Sequence, residues 1–339
     1  MSRPLRDLPK AHLHLHFTGS MRHSTLIELA KDQGLHLPDA LAEDWPPRLR
    51  ATDAKGWFRF QRLYDIGRSA LRTSGHVRRL LREAAEDEVA EGSGWLEIQV
   101  DPSGYAHRFG GLTATLELFL DAARLAAEQT GIGIGLIVGA NRTKHPLEAK
   151  TLARLAVQYL DHGVVGFGLS NDERRGRARD FDGAFRIAHR AGLLTAPHGG
   201  ELAGPYSIEE CLDDLHADRI GHGVRVHESA RLMRRLADRE ITCEVCPLSN
   251  VALGVFERPE DVPLRMLFDA GVPVALGADD PLLFGSRLLD QYELARNVYG
   301  FSDAELAELA RMSIRASAAP TELRRELLAG VDAWLTGGA

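Results

Sequence analysis

LPKAHLHLHFTGS (8–20) sets His12, His14 and His16 at every second position. Successive side chains of a β-strand point to opposite faces, so residues two apart share one and the three imidazoles line up together. Leu13, Leu15 and Phe17 alternate with them, which means that the other face is buried as well. A strand covered on both faces and polar at its C-terminal end is the inner strand of an α/β barrel, and imidazoles aligned there have the geometry of a metal site.

Outward from this strand, short apolar runs alternate with longer stretches of helical period. The candidate strands are 11–16, 95–101, 132–138, 164–169, 193–198, 218–222, 241–246 and 272–279. Between them, segments such as GHVRRLLREAAEDEVAEG (75–92) and LTATLELFLDAARLAAEQTG (112–131) carry apolar residues at three- and four-residue spacing, with Gly near their C-termini. Alternating βα units demand parallel strands. Eight of them predict an α/β fold, a (β/α)8 TIM barrel of about 250 residues plus insertions. No low-complexity linker divides the chain, so residues 1–339 are expected to form one domain with a helical insertion over about 20–94 after the first strand. Its aromatic segment holds Trp57, Phe58, Phe60, Leu63 and Tyr64, which would lie over the barrel mouth as a lid. The segment 310–335 reads as a final outer helical layer.

A chain of 339 residues that is 44% hydrophobic can bury a sizeable core. Its net charge of −7 gives no electrostatic footprint for nucleic acid or an anionic membrane. Three cysteines, Cys211, Cys243 and Cys246, are too few and odd in number for a disulfide framework. Strand alternation would turn Cys243 and Cys246 of CEVC to opposite faces, a structural rather than a redox arrangement. The N-terminus lacks the apolar core of a signal peptide, and no apolar run reaches the roughly 20 residues of a membrane span. The expectation is a cytoplasmic protein with a small-molecule partner, whose outer surface leaves a homo-oligomer open.

Chemistry in such barrels collects at the C-terminal strand ends. LTAPHGGEL ends in His198 with Glu201 three residues on, RIGHG in His222, CEVCPLSN in Cys246 and Ser249, and LGADDPLLF in Asp279 and Asp280. The order HxH, His, His, Asp on strands one, five, six and eight resembles the amidohydrolase superfamily. PKAHLHLHFTGS, HGGE, RIGHG, CPLSN and ADDPLLF are similar to motifs of the adenosine deaminase family, from about Leu8 to Tyr292.

The resemblance implies that His14, His16, His198 and Asp279 bind one zinc ion per chain, with His12 outside the ligand set. Strand four ends VVGFGLSND, which offers no lysine to bridge a second metal. Glu201 would protonate purine N1 as C6 becomes tetrahedral, and His222 would orient the attacking water and take its proton. Asp280 would accept a hydrogen bond at purine N7 or from a protonated neighbour. The backbone near Asn171 would meet N3, with His16, Thr18 and Gly200 as further substrate contacts. The implied activity is zinc-dependent hydrolytic deamination of a 6-aminopurine nucleoside, foremost adenosine to inosine and ammonia. The alternatives are adenine, a sugar-modified adenosine such as aminodeoxyfutalosine, or an ester or amide cleaved by another mononuclear amidohydrolase. Three positions depart from the family pattern: Thr18 stands where an aspartate would bind the ribose 5′-hydroxyl, and Gly168 and Asn171 stand where strand four would carry aspartate and glycine. AMP is expected to be poor, since the strand ends carry no basic cluster.

Overall fold

The eight apolar runs form eight strands: β1 (Lys10–His16), β2 (Ser93–Val100), β3 (Gly133–Asn141), β4 (Val164–Ser170), β5 (Leu194–Gly199), β6 (Arg219–His222), β7 (Thr242–Val245) and β8 (Val274–Leu276). This computed structural model describes residues 2–51 and 53–337. Neighbouring strands pair in parallel in the order β1 to β8, and a parallel bridge between Leu15 and Asp279 brings the last strand back to the first. There the His16 N–H donates to the Asp279 carbonyl and the Asp279 N–H to the His14 carbonyl, both at 3.0 Å. The fold is the expected (β/α)8 barrel.

Lys10 through Leu15 are all buried, as a strand covered on both faces requires. The last strand is shorter than the apolar run 272–279. It ends at Leu276 because the chain beyond must pass close to β1: a Cβ on Gly277 would lie 2.7 Å from that of His14, and Asp279 takes a left-handed φ of 62°.

Four helices follow β1: His23–Gln33, Asp39–Ala42, Ala54–Ala70 and Ser74–Ala90. The third starts at Asp53, whose side chain accepts from the Gly56 N–H at 2.6 Å, a standard N-cap. Helical spacing puts Trp57, Phe60 and Tyr64 on one face, turned to the barrel mouth, where the Phe60 ring stacks on Phe284. Phe58 points away and is 65% exposed. The fourth helix packs against β2 and belongs to the outer layer of the barrel, so the insertion ends sooner than about residue 94. The outer layer closes with the helices Asp303–Ala316, packed against β1 and β8, and Thr321–Thr336. No helix among the described residues is long and apolar enough to cross a membrane.

Candidate active site

The C-terminal end of β1 delivers His14 and His16 to the rim, and the end of β5 delivers His198. His16 Nε2 lies 3.2 Å from both His198 Nε2 and Asp279 Oδ1, and His14 Nε2 lies 3.7 Å from the same carboxylate oxygen. Three nitrogens and one oxygen thus converge. His14 Nε2 has no hydrogen-bond partner among the described residues although it is buried, as expected of an atom aimed at a metal. Burial opposes a charge on His14, yet the neighbouring carboxylates of Asp279 and Glu244 hold its pKa up at about 10. The site is built to surround positive charge. Burial, then the neighbouring His14, keeps His198 well below the ordinary histidine range and therefore neutral, as a ligand must be.

Behind the ligands lies a polar network with no motif in the sequence. His14 Nδ1 meets Glu244 Oε2 at 2.8 Å, and the other oxygen of Glu244 accepts from Arg219 Nε at 2.6 Å. Arg219, itself buried, also pairs with Glu97. Burial works against the charge on Glu244, but Arg219 and His14 hold its carboxyl below the usual range. Ser249 donates to Asp279 Oδ2 at 2.5 Å, while Arg142 donates to the His198 carbonyl at 2.5 Å. These contacts fix tautomer and ring orientation. His12 turns elsewhere: Nδ1 meets Glu88 at 2.7 Å, and Nε2 accepts from the Ala278 N–H at 2.9 Å. The third histidine is a fastener between β1 and the chain after β8, outside the converging set.

Glu201 Oε1 lies 3.7 Å from His222 Nε2 across the rim. Burial first, and then the charges of Asp279 and Glu173, push the Glu201 carboxyl well above the ordinary range, towards its protonated form. Burial and His14 bring His222 down to about 3, leaving it neutral. The Asn250 side-chain amide lies 3.3 Å from His222 Nδ1. Turned so that its oxygen, which has no other partner among the described residues, accepts from Nδ1, it leaves Nε2 free to take a proton. Burial and Asp279 also push Asp280 well above the carboxylate range. That direction favours a protonated, donating Asp280, where an acceptor was expected. A Cβ on Gly19 would lie 1.7 Å from Asp280 Oδ1, so only glycine admits this carboxyl.

These groups line a cavity of about 670 Å³, partly open to solvent. Asn171 is at its edge in a left-handed turn (φ 82°), its side chain bonded to Gln61 and Trp57 of the helix above. Thr18 and Gly200 are set back from it. The Thr18 hydroxyl pairs with Tyr105 in a buried site, and the Gly200 N–H donates to Glu173 at 2.8 Å. Arg68, which the sequence did not place at the site, lines the cavity and pairs with Asp65 at 2.7 Å. Trp57, Gln61 and Arg68 also line a neighbouring cleft of about 800 Å³, together with Phe58 and Arg175. The thiols of Cys243 and Cys211, pushed up to about 12 by burial, and of Cys246, also raised by burial, are not nucleophiles at neutral pH.

Residues 9–334 match the family described as adenosine deaminase. A Streptomyces virginiae protein provisionally named an adenosine/adenine deaminase is 68% identical over 99% of both chains. Among solved structures, an adenine deaminase from Arthrobacter aurescens superposes with a TM-score of 0.89 at 30% identity, covering 97% of this chain and 99% of that one. An amidohydrolase from Burkholderia ambifaria with bound zinc gives 0.86 at 25% identity over 98% and 92%. Family match, near full-length kinship and barrel geometry agree: the chain belongs to the adenosine deaminase family, hydrolytic deaminases that act on purines.

Proposed function

We propose that the protein hydrolyses the 6-amino group of a purine nucleoside, with adenosine as the parent substrate, using one zinc ion held by His14, His16, His198 and Asp279. Imidazole and carboxylate donors suit zinc, and zinc supplies a water that ionises near neutral pH. Protonated Glu201 gives its proton to N1, and Asp280 donates to N7. His222, neutral, takes the proton of the water that adds to C6. The C6–N bond then breaks as the amine takes up the proton held by His222 and the C6 hydroxyl gives its own to Glu201, so that ammonia leaves, C6=O forms and both side chains return to their starting states. The aromatic face of the helix Ala54–Ala70 covers the ring as a lid and keeps bulk water out.

The observation that carries the reading is a buried carboxyl whose pKa is raised and a buried imidazole whose pKa is lowered, 3.7 Å apart, across the converging set. An ester or lactone hydrolase has no use for a second protonated carboxyl at Asp280. The neighbouring cleft, which shares Trp57, Gln61 and Arg68 with the cavity, supports a nucleoside over a free base. With Thr18 sealed against Tyr105, its position offers no carboxylate to a 5′-hydroxyl, and this favours a nucleoside extended at its 5′ end, of which aminodeoxyfutalosine is an example. Free adenine is the second reading, supported by the likeness to the Arthrobacter adenine deaminase. Ammonia release across adenine, adenosine, deoxyadenosine, AMP and 5′-extended aminopurine nucleosides, with zinc measured on the same sample, decides among them. Ester cleavage without ammonia release from any of these would overturn the proposal.

A further inference from the structure

Glu173, in the turn after β4, is buried, and its carboxylate accepts five hydrogen bonds. Oε1 takes the Gly200 N–H at 2.8 Å and the Ser207 hydroxyl at 2.6 Å. Oε2 takes the N–H groups of Glu201, Leu202 and Ala203 at 2.8, 2.6 and 2.9 Å. Four consecutive backbone donors aimed at one anion form a nest, and they belong to the loop that carries Glu201. Gly200 enters it at φ 71°. On the other side Arg225 holds the loop's carbonyls, its N–H donating to Gly200 at 2.9 Å and its guanidinium to Leu202 at 3.1 Å.

We infer that Glu173 is a positioning residue for the reaction: its carboxylate fixes the backbone from which Glu201 reaches the purine ring. The inference rests on Glu201 being the proton donor. Neither neutral nor shorter side chains can do the same work. Glutamine would turn an amide N–H₂ towards donors, and aspartate would withdraw the carboxylate by one methylene from a loop whose other contacts stay where they are. Displacing the donor by about 1 Å costs on the order of 100-fold in rate.

The test uses the full chain at saturating zinc. Glu173→Gln is expected to lose about 100-fold in kcat with KM altered less than about threefold. Its zinc content should be unchanged, because none of the five bonds involves a ligand side chain. In a Glu201→Gln background the same substitution should cost almost nothing further, since both act through one group. Losses that multiply would overturn the inference. A normal rate in Glu201→Gln removes the proton-donor reading and the inference with it; an impaired Glu201→Gln beside a normal Glu173→Gln removes the inference alone. Ser207→Ala takes away one donor and leaves the carboxylate in place, and it answers the question if Glu173→Gln does not fold. It should lower kcat about threefold at constant KM, and an unchanged kcat counts against the role of Glu173.

Discussion

Glu244 Oε2 lies 2.8 Å from Nδ1 of His14 inside the barrel, so a carboxylate of β7 decides which nitrogen of a β1 imidazole faces the rim. The proton belongs on Nδ1, and Nε2 is left with its lone pair towards the metal position. Glu244→Gln keeps the shape but weakens that orientation. Zinc affinity, measured by competition with a chromogenic chelator, should fall about 10- to 100-fold, and excess zinc should restore most of the rate. Wild-type affinity in this variant would remove Glu244 from the metal site.

One ligand set implies one metal. Purified protein should carry about one zinc per chain, and His14→Ala or Asp279→Ala should lose metal and activity together. Elemental analysis that finds two tightly held ions would refute the mononuclear site.

Glu201→Gln should retain zinc while kcat falls at least roughly 100-fold, the usual scale for removing a proton donor. His222→Ala should likewise keep the metal and lose turnover. Near-normal steady-state rates in either variant would exclude that residue from proton transfer.

The two groups also set the pH profile, with opposite signs. His222 acts as a neutral base, and burial brings it to about 3. Activity is lost on the acid side only as pH falls towards that value, so kcat/KM should pass smoothly through about pH 6.5, where an ordinary histidine titrates. Glu201 must hold a proton, and its carboxyl is raised well above the usual range; activity is lost as pH rises past that raised value. An acid limb centred near pH 6.5 would contradict the role given to His222.

Substrate breadth depends on Arg68, which faces the cavity from the helix above the rim. Arg68→Met should raise KM about tenfold for nucleosides with an anionic 5′ extension, the value of one charge-assisted contact, and leave adenine or adenosine little affected. AMP should remain poor, because a phosphate needs a cluster of basic side chains and Arg68, already paired with Asp65, is the one arginine or lysine among the described residues that line the cavity. If native protein turns over adenosine a hundredfold better than every 5′-extended analogue tested, the outer cleft is not a substrate subsite.

The barrel and the converging ligands were legible because their signals are local. Period-two histidines mark β1, and strand-terminal motifs mark His198, His222 and Asp279. The network behind them was not. Glu244 and Glu97 each sit singly within apolar strand runs, and Arg219 follows Asp218 at the start of one; only the partner shows why a buried charge is tolerated there. A lone charge within ITCEVC or WLEIQV was the available clue. The left-handed backbone at Asn171, His222 and Asp279 has no side-chain pattern to announce it, though residues in such conformations cluster at functional sites. Thr18 was misplaced for another reason: the residue type at a motif position was readable, but Tyr105, far along the chain, closes over it.

The sources of the cavity wall carry a last consequence. Strand ends supply the ring-facing groups, and they cannot change without disturbing β1, whose backbone also closes the cylinder through Asp279. One side of the cavity wall comes from the helix Ala54–Ala70, through Trp57, Phe60, Gln61, Tyr64 and Arg68, and this helix takes no part in that closure. Chemistry and taste are thus inherited separately. A lineage can exchange the helix and acquire a new substrate while the reaction at C6 passes down unaltered, and a chimaera carrying a relative's helix on this barrel would be the laboratory form of that event.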